Sequence, residues 1–286
     1  MPELPEVEVV RRSLSHFISG LKINKVRIFN RNLRFKITKD FKKNIEKQKI
    51  TSITRRAKFL LIKLENNKVI LVHLGMTGKI FIINKKKGST LVTSFYYNKN
   101  FNKKHNHLIF NLNNSVDLIY NDVRKFGFLK VLNFDKLNFN QHIRKLGPEP
   151  LSSSFNFIYL KAKTKMSKKN VKNFMMDQKY ISGLGNIYVN EVLFISKISP
   201  IRMCNALNKN EIQKLIKNIK NVLKFSISKG GSSIRDFQNT LGKVGNFQQF
   251  FKVYGNENKN CSRISCKGKI KKMFISNRST FYCNSC

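Results

Sequence analysis

The sequence predicts an α+β fold: a leading helix, a domain of short strands, then a helical domain that ends in a cysteine-bearing hairpin. Three observations predict it. Apolar residues recur at helical spacing in the first 19 positions, and from 22 to 132 they come in short runs divided by turn residues. Past a Pro- and Ser-rich stretch at 146–154 the helical spacing returns, and four of the five cysteines fall at 261–286.

The elements follow in order. Residues 5–19 read as a helix, because Pro5 suits an early helical position and Val7, Val10, Leu14 and Phe17 or Ile18 share a face. Gly20 ends it. "KFLLIKLENNKVILVHLG" is two apolar runs around Asn66 and Asn67, a hairpin signal. "KIFII", "HLIFNLNNSVDLIY" and "FGFLKVLNF" continue the strands, and their close spacing suggests a sandwich or barrel. "LGPEPLSSS" marks a domain boundary. In "NEIQKLIKNIKNVLKFSISKGG", Ile212, Leu215, Ile216, Ile219, Val222 and Leu223 form one helical face that the glycines stop. The expected domains are 1–146, 147–240 and 241–286.

Lys and Arg total 56 against 15 Asp and Glu, a net charge of +41. An AT-rich coding sequence accounts for part of the lysine excess. The remainder points to a polyanionic partner, of which nucleic acid fits best. No apolar run reaches the roughly 18 residues of a membrane span, and the N-terminus lacks a signal pattern, so a cytoplasmic protein with no membrane partner is expected. Structural disulfides are then not expected. Lysine runs such as Lys85–Lys87 read as solvated turns, and Cys204 as a small buried hydrophobe.

Cys261-x4-Cys266 and Cys283-x2-Cys286, separated by a hairpin's length, match a four-thiolate zinc site. Arg278 lies on the hairpin arm. In "DQKYISGLGNIYVNEVLF", Gly183 and Gly185 allow a tight turn before a helix whose N-terminus suits a phosphate, with Asn186, Lys172 and Lys179 nearby. In "TRRAKFLL", Arg56 and Lys58 share a face if the segment is a strand. "HLGMTG" and "NDVRKFG" read as loops at strand ends, where Met76 and Phe126 have the shape of wedges for a base stack and Arg124 could bond the base left behind. At the start, "MPELPEVE" places acids beside Pro2. Removal of Met1 would leave Pro2 a secondary amine able to attack an electrophilic sugar carbon, with Glu3 as general acid and base. Acids in a first helical turn also simply favour the helix dipole, which is the reading adopted for Glu8.

Taken together, "PELPEVE", "RRAKFLL", "HLGMTG", "DVRKFG", "LGPEPL", "MDQKYISGLGNIYVNE", "KGGSSIRDF" and "STFYCNSC", in that order, resemble formamidopyrimidine-DNA glycosylase over nearly the whole chain. The resemblance implies an N-terminal β-sandwich with flanking helices, then a helical domain with a helix–two-turn–helix and a zinc-finger hairpin. It implies a bifunctional glycosylase and abasic-site lyase that acts on oxidised purines in duplex DNA, as a monomer carrying one structural Zn2+. It assigns catalysis to Pro2, Glu3, Lys58 and Arg278. It assigns DNA contacts to Met76, His105, Arg124, Phe126, Lys172, Asn186, Arg235 and Arg278, and active-site acids to Glu6 and Glu191. The alternatives are an endonuclease VIII-like enzyme for oxidised pyrimidines and a non-catalytic basic zinc-finger protein. The chain departs from the family in several places. Its first cysteine pair is spaced by four residues where two are usual, so "CSRIS" must bulge. Lys125 replaces a usual Arg, Val123 a usual Pro, and Asn246 a common aromatic.

Overall fold

The computed structural model describes residues 1–86, 89–92, 102–232 and 247–286. The chain divides into two compact units, 1–144 with 229–246, and 145–228 with 247–286.

The first unit opens with α1 (Leu4–Ile18), whose buried face is Leu4, Val7, Val10, Leu14 and Ile18. Pro5 sits in its first turn as expected, and Gly20 follows it with a φ of +81°. Then come β1 (Ile23–Ile28), the short α2 (Phe41–Ile45), β2 (Ile50–Arg56), β3 (Phe59–Leu64), β4 (Lys68–His73), β5 (Gly78–Asn84), β6 (Ser89–Val92), β7 (Asn106–Leu112), β8 (Val116–Asp122) and β9 (Phe128–Asn133). The single-turn α2 interrupts a stretch that the sequence reads as strands throughout. Its two buried side chains, Phe41 and Ile45, are four apart and carry too short a helical signal to stand out.

The strands form two antiparallel sheets, β1-β7-β8-β5-β6 and β2-β3-β4-β9. Alternate residues explain how they pack. Leu60, Ile62 and Leu64 of β3 and Leu108, Phe110 and Leu112 of β7 all enter one core with the buried face of α1. The unit is therefore a β-sandwich with helices at its flank. The β3–β4 hairpin turns at Asn66 and Asn67, as expected, with Asn67 left-handed at φ 57°.

The second unit holds α3 (Phe157–Lys165), α4 (Val171–Met176), α5 (Asn186–Ser196), α6 (Lys209–Ser228) and the hairpin of β10 (Ile270–Ile275) and β11 (Arg278–Cys283). Ile212, Leu215, Ile219, Val222 and Leu223 of α6 are buried, and Ile216 is half-buried at the edge of that face. Two turns join α4 to α5. The Tyr180 N–H donates to the Asp177 carbonyl at 2.9 Å, and Gly183 then takes a φ of +85° that side chains disfavour. Gln178 braces this connection, accepting from the Gly183 N–H and donating to the Met176 and Leu184 carbonyls. This is the expected helix–two-turn–helix.

Candidate nucleic-acid-processing site

Pro2 and Glu3 lie buried at the N-terminus of α1. Glu3 and Glu6 form a reciprocal capping box: the Glu3 side chain accepts from the Glu6 N–H, and Glu6 Oε2 accepts from the Glu3 N–H at 2.8 Å. The other oxygen of Glu6, Oε1, accepts from the Ser232 N–H at 2.8 Å and from its hydroxyl at 2.9 Å. Glu6 thereby fixes the start of α1 to the chain just after two glycines of left-handed φ, Gly230 and Gly231. Sequence reading missed Ser232, since nothing local marks a serine 226 residues away as a partner.

Lys58 is buried in the turn between β2 and β3 rather than on a strand. The expectation that Arg56 and Lys58 share a strand face is therefore corrected. Ala57 adopts a left-handed φ of 51°, which breaks the alternation. Arg55 holds this turn through Nη1, which donates to the Ala57 carbonyl at 2.9 Å. Its Nε in turn donates to Glu8 Oε2 at 3.1 Å. Burial pushes the Glu8 carboxyl up, but the Arg11, Arg55 and Arg12 guanidiniums outweigh it and hold it below its usual value. Glu8 is thus more than a dipole partner: it ties α1 to the Lys58 turn.

The β4–β5 and β8–β9 loops present Met76, Arg124 and Phe126 together. Met76 and Phe126 are 40% and 42% exposed, unusual for large apolar side chains. The Arg124 guanidinium lies over the Phe126 ring, 4.5 Å from its centroid, and its Nη1 is 3.3 Å from Met76 Sδ. A cleft of about 470 Å3 lined by Asn32, Leu33, Arg34, Arg124, Lys125 and Phe126 opens beside them. Below the loops, His73 Nδ1 accepts from the Gly75 N–H at 3.2 Å. Burial, and then the charges of Lys58 and Arg34, push the His73 imidazole down to about 4, so it stays neutral at pH 7. His105 is half-buried in a single 3₁₀ turn ahead of β7.

In the second unit Lys172 has no exposed surface. Its Nζ donates to the Ser279 carbonyl at 2.9 Å and to Thr280 Oγ1 at 2.6 Å, and Asn186 Nδ2 donates to the same carbonyl at 2.9 Å. Burial and the Arg278 charge bring Lys172 down to about 8. These two side chains therefore fix the hairpin at the residue after Arg278. Arg278 itself is exposed beyond a turn of two left-handed residues, Ser276 and Asn277. The Glu191 carboxylate accepts from the Lys252, Val253 and Tyr254 N–H groups at 2.8–3.0 Å. It anchors that backbone segment within its own unit. Arg235, like Asn246, lies outside the described residues.

The Sγ atoms of Cys261, Cys266, Cys283 and Cys286 all lie within 4.8 Å of one another, with Cys261–Cys286 and Cys266–Cys283 at 3.6 Å. A regular tetrahedron with zinc–sulfur bonds of about 2.3 Å needs sulfurs about 3.8 Å apart, so the four thiols fit. A Cβ on Gly268 would stand 2.8 Å from Cys283 Sγ, so the cluster needs that glycine. The lengthened first pair bulges through Ser265, left-handed at φ 65°. It also gains a brace: Arg263 lies over the Phe194 ring of α5 at 4.1 Å, and donates to the Phe194 carbonyl and to Cys286 Sγ.

The sandwich shows apolar and cationic groups at its loop tips and is followed in sequence by a helix–two-turn–helix. The class is that of the helix–two-turn–helix DNA glycosylases. A family model described as the formamidopyrimidine-DNA glycosylase N-terminal domain matches residues 1–129, and one for the H2TH domain of the same enzyme matches 146–238. The formamidopyrimidine-DNA glycosylase of Rickettsia bellii is 41% identical over 286 residues, and that of Bradyrhizobium sp. (strain ORS 278) 38% over 292. Each alignment spans 100% of this chain and 99% of the relative. Among solved structures, a Lactococcus lactis Fpg variant bound to Fapy-dG-containing DNA superposes with a TM-score of 0.86 at 33% identity, covering 99% of this chain and 98% of that one. The complex of Lactococcus lactis Fpg with abasic-site DNA gives 0.84 at 32%, covering 98% and 97%. The chain belongs to the formamidopyrimidine-DNA glycosylase family.

Proposed function

We propose that this glycosylase excises oxidised purines, such as 8-oxoguanine and formamidopyrimidines, from duplex DNA in base excision repair, and then cleaves the abasic strand through an iminium (protonated Schiff base) on Pro2. The observation that carries the reading is the placement of Pro2 at the positive end of α1 beside the buried, capping Glu3. That end of a helix disfavours a protonated amine and leaves the lone pair available for attack.

The damaged nucleotide is turned out of the stack while Met76, Arg124 and Phe126 take its place. With Met1 removed, the Pro2 nitrogen bonds to C1′ as the C1′–base bond breaks, the amine proton passing to the departing base, and Glu3 then protonates O4′ so that the C1′–O4′ bond breaks and the ring opens. The resulting iminium acidifies the C2′ proton. Its loss expels the 3′ phosphate, and a second elimination expels the 5′ phosphate. Lys58 and Arg278 grip phosphates at the lesion, and Lys172 and Asn186 hold the Arg278 hairpin in the shape that grip needs. His105 and Arg235 add DNA contacts, and Glu6 keeps the terminus aligned. In this reading 1–146 is the catalytic domain, 147–240 the helix–two-turn–helix domain, and 241–286 the lesion loop and finger. The four cysteines hold one Zn2+ with no open position for water, a structural role.

Borohydride is expected to trap a covalent adduct with a duplex containing 8-oxoguanine, and Pro2→Gly to lower its yield by at least about a hundredfold, the usual scale for loss of a covalent nucleophile. Absence of any adduct with the wild-type chain would refute the iminium. Faster excision of thymine glycol than of 8-oxoguanine would instead assign it to oxidised pyrimidines.

A further inference from the structure

The three wedge side chains sit on two loops far apart in sequence, yet they act as a unit only if those loops keep a fixed spacing. One buried carboxylate touches both. Asp122, the last residue of β8, has no exposed surface. Its Oδ1 accepts from the Thr77 hydroxyl of the β4–β5 loop at 2.5 Å. Its Oδ2 accepts from the Gly127 N–H of the β8–β9 loop at 2.8 Å and from the Tyr120 hydroxyl at 3.1 Å. Thr77 Oγ1 also accepts from the Arg124 N–H at 3.0 Å, so one hydroxyl joins the carboxylate to the backbone of the wedge arginine. The carbonyl of Asp122 meets His107 Nε2 at 2.7 Å, which fixes the strand end beneath.

The loops also touch through glycine. A Cβ on Gly75 would fall 2.4 Å from the Gly127 nitrogen, so no side chain separates the segments bearing Met76 and Phe126. The result is a continuous path of hydrogen bonds, Arg124 N–H to Thr77 to Asp122 to Gly127 N–H, around the base of the wedge.

We propose that Asp122 and Thr77 are positioning residues for stack opening: they lock the two wedge loops at one spacing, so that Met76, Arg124 and Phe126 enter the duplex together. Neither needs to touch DNA. A carboxylate suits the task because it accepts several donors at once, and charge-assisted bonds are the stronger ones. Thr77 is the lever for a test, since it is only half-buried and Val keeps its shape while removing the hydroxyl.

The experiment compares wild type, Thr77→Val and Thr77→Ser under single-turnover conditions on a duplex carrying 8-oxoguanine beside 2-aminopurine, whose fluorescence rises as the stack opens. Thr77→Val is expected to slow both the fluorescence rise and excision by on the order of tenfold, the scale of one lost bond to a charged acceptor. Thr77→Ser is expected to restore both. Borohydride trapping on an abasic site in a single strand, which has no stack to open, is expected to be the same for all three. Wild-type fluorescence kinetics in Thr77→Val would overturn the proposal. So would an equal loss of single-strand trapping, which would mark a general structural defect. The proposal rests on base excision by this site but not on the iminium: if the wild-type chain forms no adduct, the fluorescence comparison still decides the lock.

Discussion

Glu8 shows how one side chain can serve two elements. It receives Arg11 and Arg12 from its own helix and Arg55 from β2, with only 13% of its side chain exposed. Its carboxyl is held below its usual value, so the folded chain binds that proton less readily than the unfolded one. The stabilisation is present above the ordinary value of 4.5 and is lost as the pH falls through the lowered folded value. Glu8→Gln is expected to cost about 1–2 kcal/mol in urea unfolding at pH 7. The gap from wild type is expected to shrink towards pH 3. A gap independent of pH would show that packing, not charge, matters there. Other residue roles were hidden from the sequence. Lys172 reads as a phosphate ligand from its neighbourhood in the chain, and the structure adds that its ammonium donates to Ser279 and Thr280, more than a hundred positions on. No local pattern marks such a pairing.

At the scale of elements, the β4–β5 and β8–β9 loops depend on the absence of side chains. A Cβ at Gly127 would lie 1.9 Å from the Tyr120 hydroxyl and 2.6 Å from the His73 carbonyl, and a strand end has little room to retreat. Gly127→Ala is expected to destabilise the sandwich by about 1–3 kcal/mol, the usual cost of overpacking. It is also expected to weaken binding to lesion duplex relative to undamaged duplex, because it disturbs the same loops. Parallel melting and binding measurements check both. The elements themselves were largely legible. Helical spacing in α1 and α6, the Asn66–Asn67 turn and the paired cysteines are local signals, each contained in a short window. The Lys58 turn was not, because Ala57 leaves the strand conformation without any residue that announces it.

For the whole molecule, the hairpin that carries Arg278 packs with Phe194 of α5 in a small cluster that also holds Val253, Cys261, Ile270, Phe281 and Cys283. The proposed structural zinc would contribute an apparent folding free energy of about 10–16 kcal/mol, as in small fingers, which is at least as much as the four non-cysteine side chains of this cluster supply at about 1.5–3 kcal/mol each. Chelation is therefore expected to expose β10 and β11 to hydrogen exchange while the sandwich amides stay protected. Retained protection in β10 and β11 after zinc loss would refute that dependence. The passage from a strand-rich region to a helical one was legible because it follows chain order. The return of 229–246 to the first unit was not, since it depends on contacts such as Ser232 to Glu6.

That last contact sets a schedule. Glu6 and Ser232 are 226 residues apart. A ribosome adds about 5–20 residues per second, so Ser232 follows Glu6 by about 10–45 s. During that interval the start of α1 lacks its clasp from the far end of the chain, and trimming of the initiator residue can proceed on an open terminus. In the proposed mechanism, the clasp then closes on a terminus from which Met1 has already been removed. On that mechanism, the order of synthesis separates the making of the nucleophile from its enclosure.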